Sequence, residues 1–120
     1  MMRANDPRLR VLLGRDNGAC VWHGPSCGDD TLVPHHRANR GIGGHKAGDS
    51  LANIVMVCAD VNYLMEADDR TAVEAKRRGI KLSRYADPEK APIKHATWGW
   101  VMLNPDGSIT MHDRKEESSG

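Results

Sequence analysis

With 120 residues, the chain is read as one domain with a modest core. Seventeen Lys and Arg against sixteen Asp and Glu leave a net charge of +1, so global charge alone gives no nucleic-acid signal. No stretch approaches the roughly 18 apolar residues of a membrane span, and residues 1–7 lack the apolar region of a signal peptide, so a cytoplasmic protein with no membrane partner is expected. Phenylalanine is absent, so the core must rest on Leu, Val, Ile and Met. Three cysteines without an export signal suggest reduced thiols or metal ligands rather than disulfides.

Residues 6–17 read as a short helix. Asp6-Pro7 supplies an N-cap and a first-turn proline. Leu9, Leu12 and Leu13 share a face, and Asn17-Gly18 is a stop. Residues 19–23 read as a strand, residues 24–30 as a Gly/Pro/Ser/Asp loop, and residues 31–36 as the second strand of that hairpin. Residues 37–49 hold Gly41, Gly43, Gly44 and Gly48 among Arg37, Arg40, His45 and Lys46. They suit an ordered surface loop. Residues 51–58 are apolar. The pattern predicts a helix over 59–69 and another over 71–79, the latter with a basic last turn, Lys76-Arg77-Arg78, and a glycine stop. Residues 80–85 read as extended. Asp87-Pro88 and Ala91-Pro92 are breaks. Residues 98–103 and 108–111 should form a hairpin about Asn104-Pro105-Asp106-Gly107. Trp98 and Trp100 would then share a face and pack as core or lid. Residues 114–120 are a polar tail outside a single domain of 1–113. The fold class is α+β.

The chemistry is concentrated in one stretch. His35-His36 end an apolar run, Asn53 follows 17 residues after His36, Asn62 lies 9 further on and Glu66 4 beyond that. On a strand, neighbouring side chains leave on opposite faces. The two imidazoles are therefore poorly placed to chelate one ion together and well placed to flank a phosphate. An imidazole with a pKa near ~6.5 suits a general base. Asn62 and Glu66 share a helix face, and their oxygens favour Mg²⁺ or Mn²⁺. A base, a buried amide clip and hard ligands are what a one-metal phosphodiesterase needs.

Over residues 20–68 the chain resembles the HNH endonuclease family, and looks most like the small HNH proteins of actinobacterial phages. The likeness is carried by Leu32-Val33-Pro34-His35-His36-Arg37, by Arg40-Gly41-Ile42-Gly43-Gly44 and by Asn53-Ile54-Val55-Met56-Val57-Cys58. It implies a ββα-metal core at about 19–69, flanked by the N-terminal helix and by a C-terminal helix plus hairpin. It also implies divalent-metal-dependent hydrolysis of DNA. By that resemblance His36 is the general base, His35 a metal ligand, and Asn53 a clip holding the His36 backbone. The third family position, usually His, is Asn62, as in an H-N-N subset. Glu66 stands where some members place a further histidine ligand. One cation is implied, Mg²⁺ or Mn²⁺, with Ni²⁺ or Zn²⁺ as alternatives. Arg37, Arg40, His45 and Lys46 are the candidate DNA contacts. A rival reading is a non-catalytic or partner-dependent accessory of phage DNA packaging, acting with a terminase.

Many family members carry a Cys-x-x-Cys pair on each side of the site. Here Cys20-x-x-His23 keeps two ligands, while Cys58-x-x-Val61 keeps one. Three reduced thiols packed as small hydrophobes are the first reading. A tetrahedral zinc site of Cys20, His23, Cys58 and Cys27 is the alternative. The glycine-rich loop has neither the Gly-Lys-Ser/Thr ending of a P-loop nor a dinucleotide fingerprint.

Overall fold

The computed structural model describes residues 6–25, 31–38 and 50–112. Helix α1, Pro7–Arg15, starts as its capping chemistry requires: Asp6 is extended and its carboxylate accepts the Arg8 N–H. Asn17 and Gly18 both take positive φ, and the Gly18 N–H reaches the Leu13 carbonyl at 2.7 Å, which ends the helix. Of the three leucines, Leu12 is fully buried, against Ile54 and Met56, with Leu9 at the border and Leu13 exposed.

Strand β1, Leu32–His36, pairs antiparallel with β2, Ile54–Cys58, from Leu32 opposite Cys58 to His36 opposite Ile54. The expected hairpin between residues 19–23 and 31–36 is therefore corrected. Residues 20–24 form a tight turn, closed by the Gly24 N–H on the Cys20 carbonyl at 2.7 Å with Gly24 at φ 76°. Val21 alone reaches both neighbours: its N–H donates to Met56 O, and its carbonyl accepts from Ala96 N–H. All five residues of β2 are buried, so β2 needs a strand paired along its whole length, and β1 supplies one. Closing the longer loop adds little entropy cost, because that cost grows only with the logarithm of length.

Helix α2, Ala59–Ala67, follows β2 directly and turns Val61 and Met65 into the core. The helix expected to run to residue 69 stops at Asp68, which is extended and caps α3, Asp69–Arg77, by accepting the Thr71 N–H at 3.0 Å. Gly79, at φ 74°, ends α3 where a Cβ would collide with the Pro92 carbonyl, so this turn requires glycine. Residues 80–85 contribute only one bridge, Leu82 to Ala38.

A second sheet has the order β3–β4–β5: Ile93–His95, Gly99–Leu103 and Ile109–Met111, all antiparallel. The C-terminal hairpin appears as expected, with β3 added. Trp98 lies outside β4, so strand alternation does not relate it to the buried Trp100. Its indole N–H donates to Arg15 O at 2.7 Å. The main core joins both sheets and the helices through Val55, Val57, Met65, Ile80, Ile93 and Leu103. Among the described residues, no helix is long and apolar enough to cross a membrane. The whole is an α+β arrangement of short helices and small antiparallel sheets.

Candidate active site and a cysteine–histidine cluster

His35 and His36 close β1, while Asn62 and Glu66 stand one turn apart on α2. These four side chains border one cleft of about 410 Å³, completed by Pro34, Arg37, Lys81 and Leu82. The juxtaposition follows from chain order. β2 lies against β1, α2 begins where β2 ends, and the helix returns across the strand that carries the histidines.

His35 Nε2 lies 3.2 Å from the Ile80 carbonyl. A carbonyl only accepts, so Nε2 holds the proton and Nδ1 keeps its lone pair. Burial pushes the His35 pKa down to about 4, against the opposing pull of the Ile80 carbonyl. The ring is thus neutral at neutral pH, the form a metal ligand requires. His36 is half-buried. The Glu66 side chain is 74% exposed and pairs with Lys81 at 3.1 Å.

Asn53 is fully buried. Its Oδ1 accepts the Ala38 N–H at 2.8 Å, and its Nδ2 donates to the Ala38 carbonyl at 3.0 Å. Its own carbonyl takes the Arg37 N–H at 2.7 Å. The two side-chain bonds grip the backbone at Ala38, two residues beyond His36, and the main-chain bond holds the Arg37 N–H next to it, where the chain leaves β1.

Arg37 is corrected as a DNA contact. It is 1% exposed. Its guanidinium donates to the carbonyls of Gly79, Ala52, Pro88 and Ala91 at 2.8–3.0 Å. Burial, with Arg15 nearby, pushes its pKa down to about 9, so it remains a cation at neutral pH, solvated by carbonyl dipoles. The other expected DNA contacts, Arg40, His45 and Lys46, lie outside the described residues, as does Cys27.

The turn at residues 20–24 brings Cys20, His23 and Cys58 together. His23 Nδ1 lies 3.7 Å from Cys20 Sγ and 3.8 Å from Cys58 Sγ, and the three ligand atoms all fall within 4.8 Å of one another. Bonds of ~2.0–2.3 Å to a tetrahedral ion would separate ligand atoms by roughly 3.6 Å. The cluster can hold a metal ion. The Cys58 N–H also points to Cys20 Sγ at 3.3 Å, an outer hydrogen bond of the kind that steadies a thiolate ligand.

Comparison with protein-family models, with curated proteins and with solved structures gave no match. The site therefore stands on its own geometry. Two features escaped sequence reading. Lys81 lies 15 residues beyond Glu66, past a second helix, and no short-range spacing signals its place in the cleft. Arg15, Asp16 and His95 form a buried polar cluster. Asp16 accepts from Arg15 Nε at 2.8 Å, from the Met56 N–H at 3.0 Å and from His95 Nε2 at 2.9 Å. The adjacent charges in Arg15-Asp16 were the only available signal.

Proposed function

We propose that β1, β2 and α2 form a ββα-metal core and that the protein is a divalent-metal-dependent HNH endonuclease acting on DNA. The observation that carries this reading is the convergence of His35, His36, Asn62 and Glu66 on one cleft, beside an asparagine that clips the outgoing chain. His35 Nδ1, the Asn62 amide oxygen and the Glu66 carboxylate are the candidate holders of one cation. Nitrogen with two hard oxygens fits Mg²⁺ or Mn²⁺, with Ni²⁺ or Zn²⁺ as alternatives. When bound, the cation supplies charge stabilisation to the phosphate oxygens. His36 takes a proton from a water molecule. The water oxygen forms a bond to phosphorus as the bond to the 3′ oxygen breaks, and that oxygen collects a proton from solvent.

The test is nicking of supercoiled plasmid with Mg²⁺ or Mn²⁺. Wild type should nick, and His36→Ala should lose ~10²–10⁴-fold while keeping its melting temperature. A variant retaining more than a tenth of wild-type activity removes His36 from the base role. A second reading, an accessory of phage DNA packaging whose activity rises with a terminase, is favoured by one observation. Among the described residues, the one expected DNA contact, Arg37, is withdrawn from the surface, and a net charge of +1 favours a chain that holds DNA with a partner's help. For the second cluster we propose Zn²⁺ on Cys20, His23 and Cys58, since two thiolates and an imidazole are its preferred donors.

A further inference from the structure

Lys81 lines the same cleft as His35, His36, Asn62 and Glu66. The main chain on either side of it is fixed. The Ile80 and Lys81 N–H groups both donate to Ala75 O, and the Leu82 N–H donates to Arg37 O at 2.7 Å. The Ile80 carbonyl orients His35. The Lys81 side chain is 27% exposed and reaches back across the cleft. There its ammonium meets the Met65 carbonyl in the last turn of α2 at 3.2 Å and the Glu66 carboxylate at 3.1 Å. A helix C-terminal carbonyl favours a positive charge at that point. Among the described residues, the other basic side chain lining the cleft, Arg37, spends its guanidinium on four carbonyls.

We infer that Lys81 is the cleft's anion-binding residue, taking the phosphodiester of a bound DNA strand, and that Glu66 is its counter-ion in the free protein. The inference rests on the nuclease reading of this cleft. Glu66 then has two alternative partners, the ammonium or a divalent cation. A phosphate that engages Lys81 releases the carboxylate toward the cation, so substrate and metal would assist each other's binding.

The experiment measures affinity for a short DNA duplex by fluorescence anisotropy at several KCl concentrations, without added divalent cation. Wild type, Lys81→Gln, Lys81→Arg, Glu66→Gln and the Lys81→Gln/Glu66→Gln double variant are compared. Lys81→Gln should weaken binding roughly tenfold and reduce the salt slope by about one. Lys81→Arg should restore both. Glu66→Gln should tighten binding, and that gain should vanish in the double variant. Equal affinity and slope for wild type and Lys81→Gln, or no measurable binding by either, overturns the inference. Plasmid nicking with Mn²⁺ keeps the two readings apart. Lys81-dependent binding without nicking by wild type would sink the nuclease reading and leave the phosphate contact standing. Lys81→Gln that nicks with wild-type KM and kcat would do the reverse.

Discussion

At the scale of single residues, the sequence neighbours His36 and Arg37 have unrelated tasks. Both border the cleft, but the Arg37 guanidinium joins the end of β1 to the turn after α3 and to residues 88–91 through carbonyl groups. Arg37→Met should therefore cost about 3 kcal/mol or more, because several buried carbonyls lose their donor together. Chemical denaturation measures this, and a loss below ~1 kcal/mol would mean water replaces the guanidinium. Asn53→Ala removes two bonds to Ala38 and should lower stability by about 1–3 kcal/mol as well as activity. A dead variant that melts like wild type would make Asn53 a direct participant in the chemistry. Asn62 offers an amide oxygen where an imidazole would favour later transition metals. Asn62→His should keep nicking but shift preference from Mg²⁺ toward Ni²⁺, Co²⁺ or Zn²⁺, and Asn62→Ala should raise the metal concentration for half-maximal nicking. Identical titration curves for all three proteins would remove Asn62 from the ion.

At the scale of elements, the turn at residues 20–24 is held by its neighbours. It has no ladder of its own, and Val21 hangs between Met56 and Ala96 by one hydrogen bond on each side. Its cysteine and histidine face Cys58, the last residue of β2. A metal ion here would tie the turn to the β2–α2 junction, the same junction that aims Asn62 and Glu66 into the cleft. Protein purified without chelator should thus carry close to one zinc per chain by elemental analysis. Cys58→Ser should lose that zinc and several degrees of melting temperature. A zinc-free protein of unchanged melting temperature after Cys58→Ser would leave the cluster as two packed thiols and an imidazole.

At the scale of the whole molecule, Asp16 connects α1 to both sheets, through Met56 on β2 and His95 on β3. The Thr97 N–H donates to His95 Nδ1 at 3.1 Å, so the proton sits on Nε2 and points at Asp16. Burial alone would raise the Asp16 pKa. The hydrogen bonds from His95 and Arg15 outweigh it and hold the carboxyl below its ordinary 3.8. A lowered folded pKa means the carboxylate stabilises the fold above about pH 3.8 and loses that contribution as pH falls through the folded value. Glu74, drawn down to about 2 chiefly by Arg77, titrates in the same direction, but its side chain is 32% exposed and solvent screens it. Denaturant midpoints should fall below pH 3.8 in wild type. Asp16→Asn should be less stable at pH 7 and flatter in acid. Parallel pH curves for the two proteins would show that Asp16 does not set the acid limb.

Local chemistry was enough to read several elements directly. Asp6-Pro7 starts a helix and Asn17-Gly18 ends it, because caps and left-handed residues act within one turn. The turn at residues 104–107 joins two strands for the same reason. The spacing of His35, His36, Asn53, Asn62 and Glu66 picked out residues whose cleft-lining members the structure gathers, because α2 begins where β2 ends and so returns beside the strand that β2 pairs with. The partner of β1, the fate of Arg37 and the place of Lys81 were decided only in three dimensions. Each depends on contacts spanning 15 to 54 residues. A buried arginine and a solvated one are spelled alike, and it is the carbonyl groups of distant turns, brought together by the core, that distinguish them.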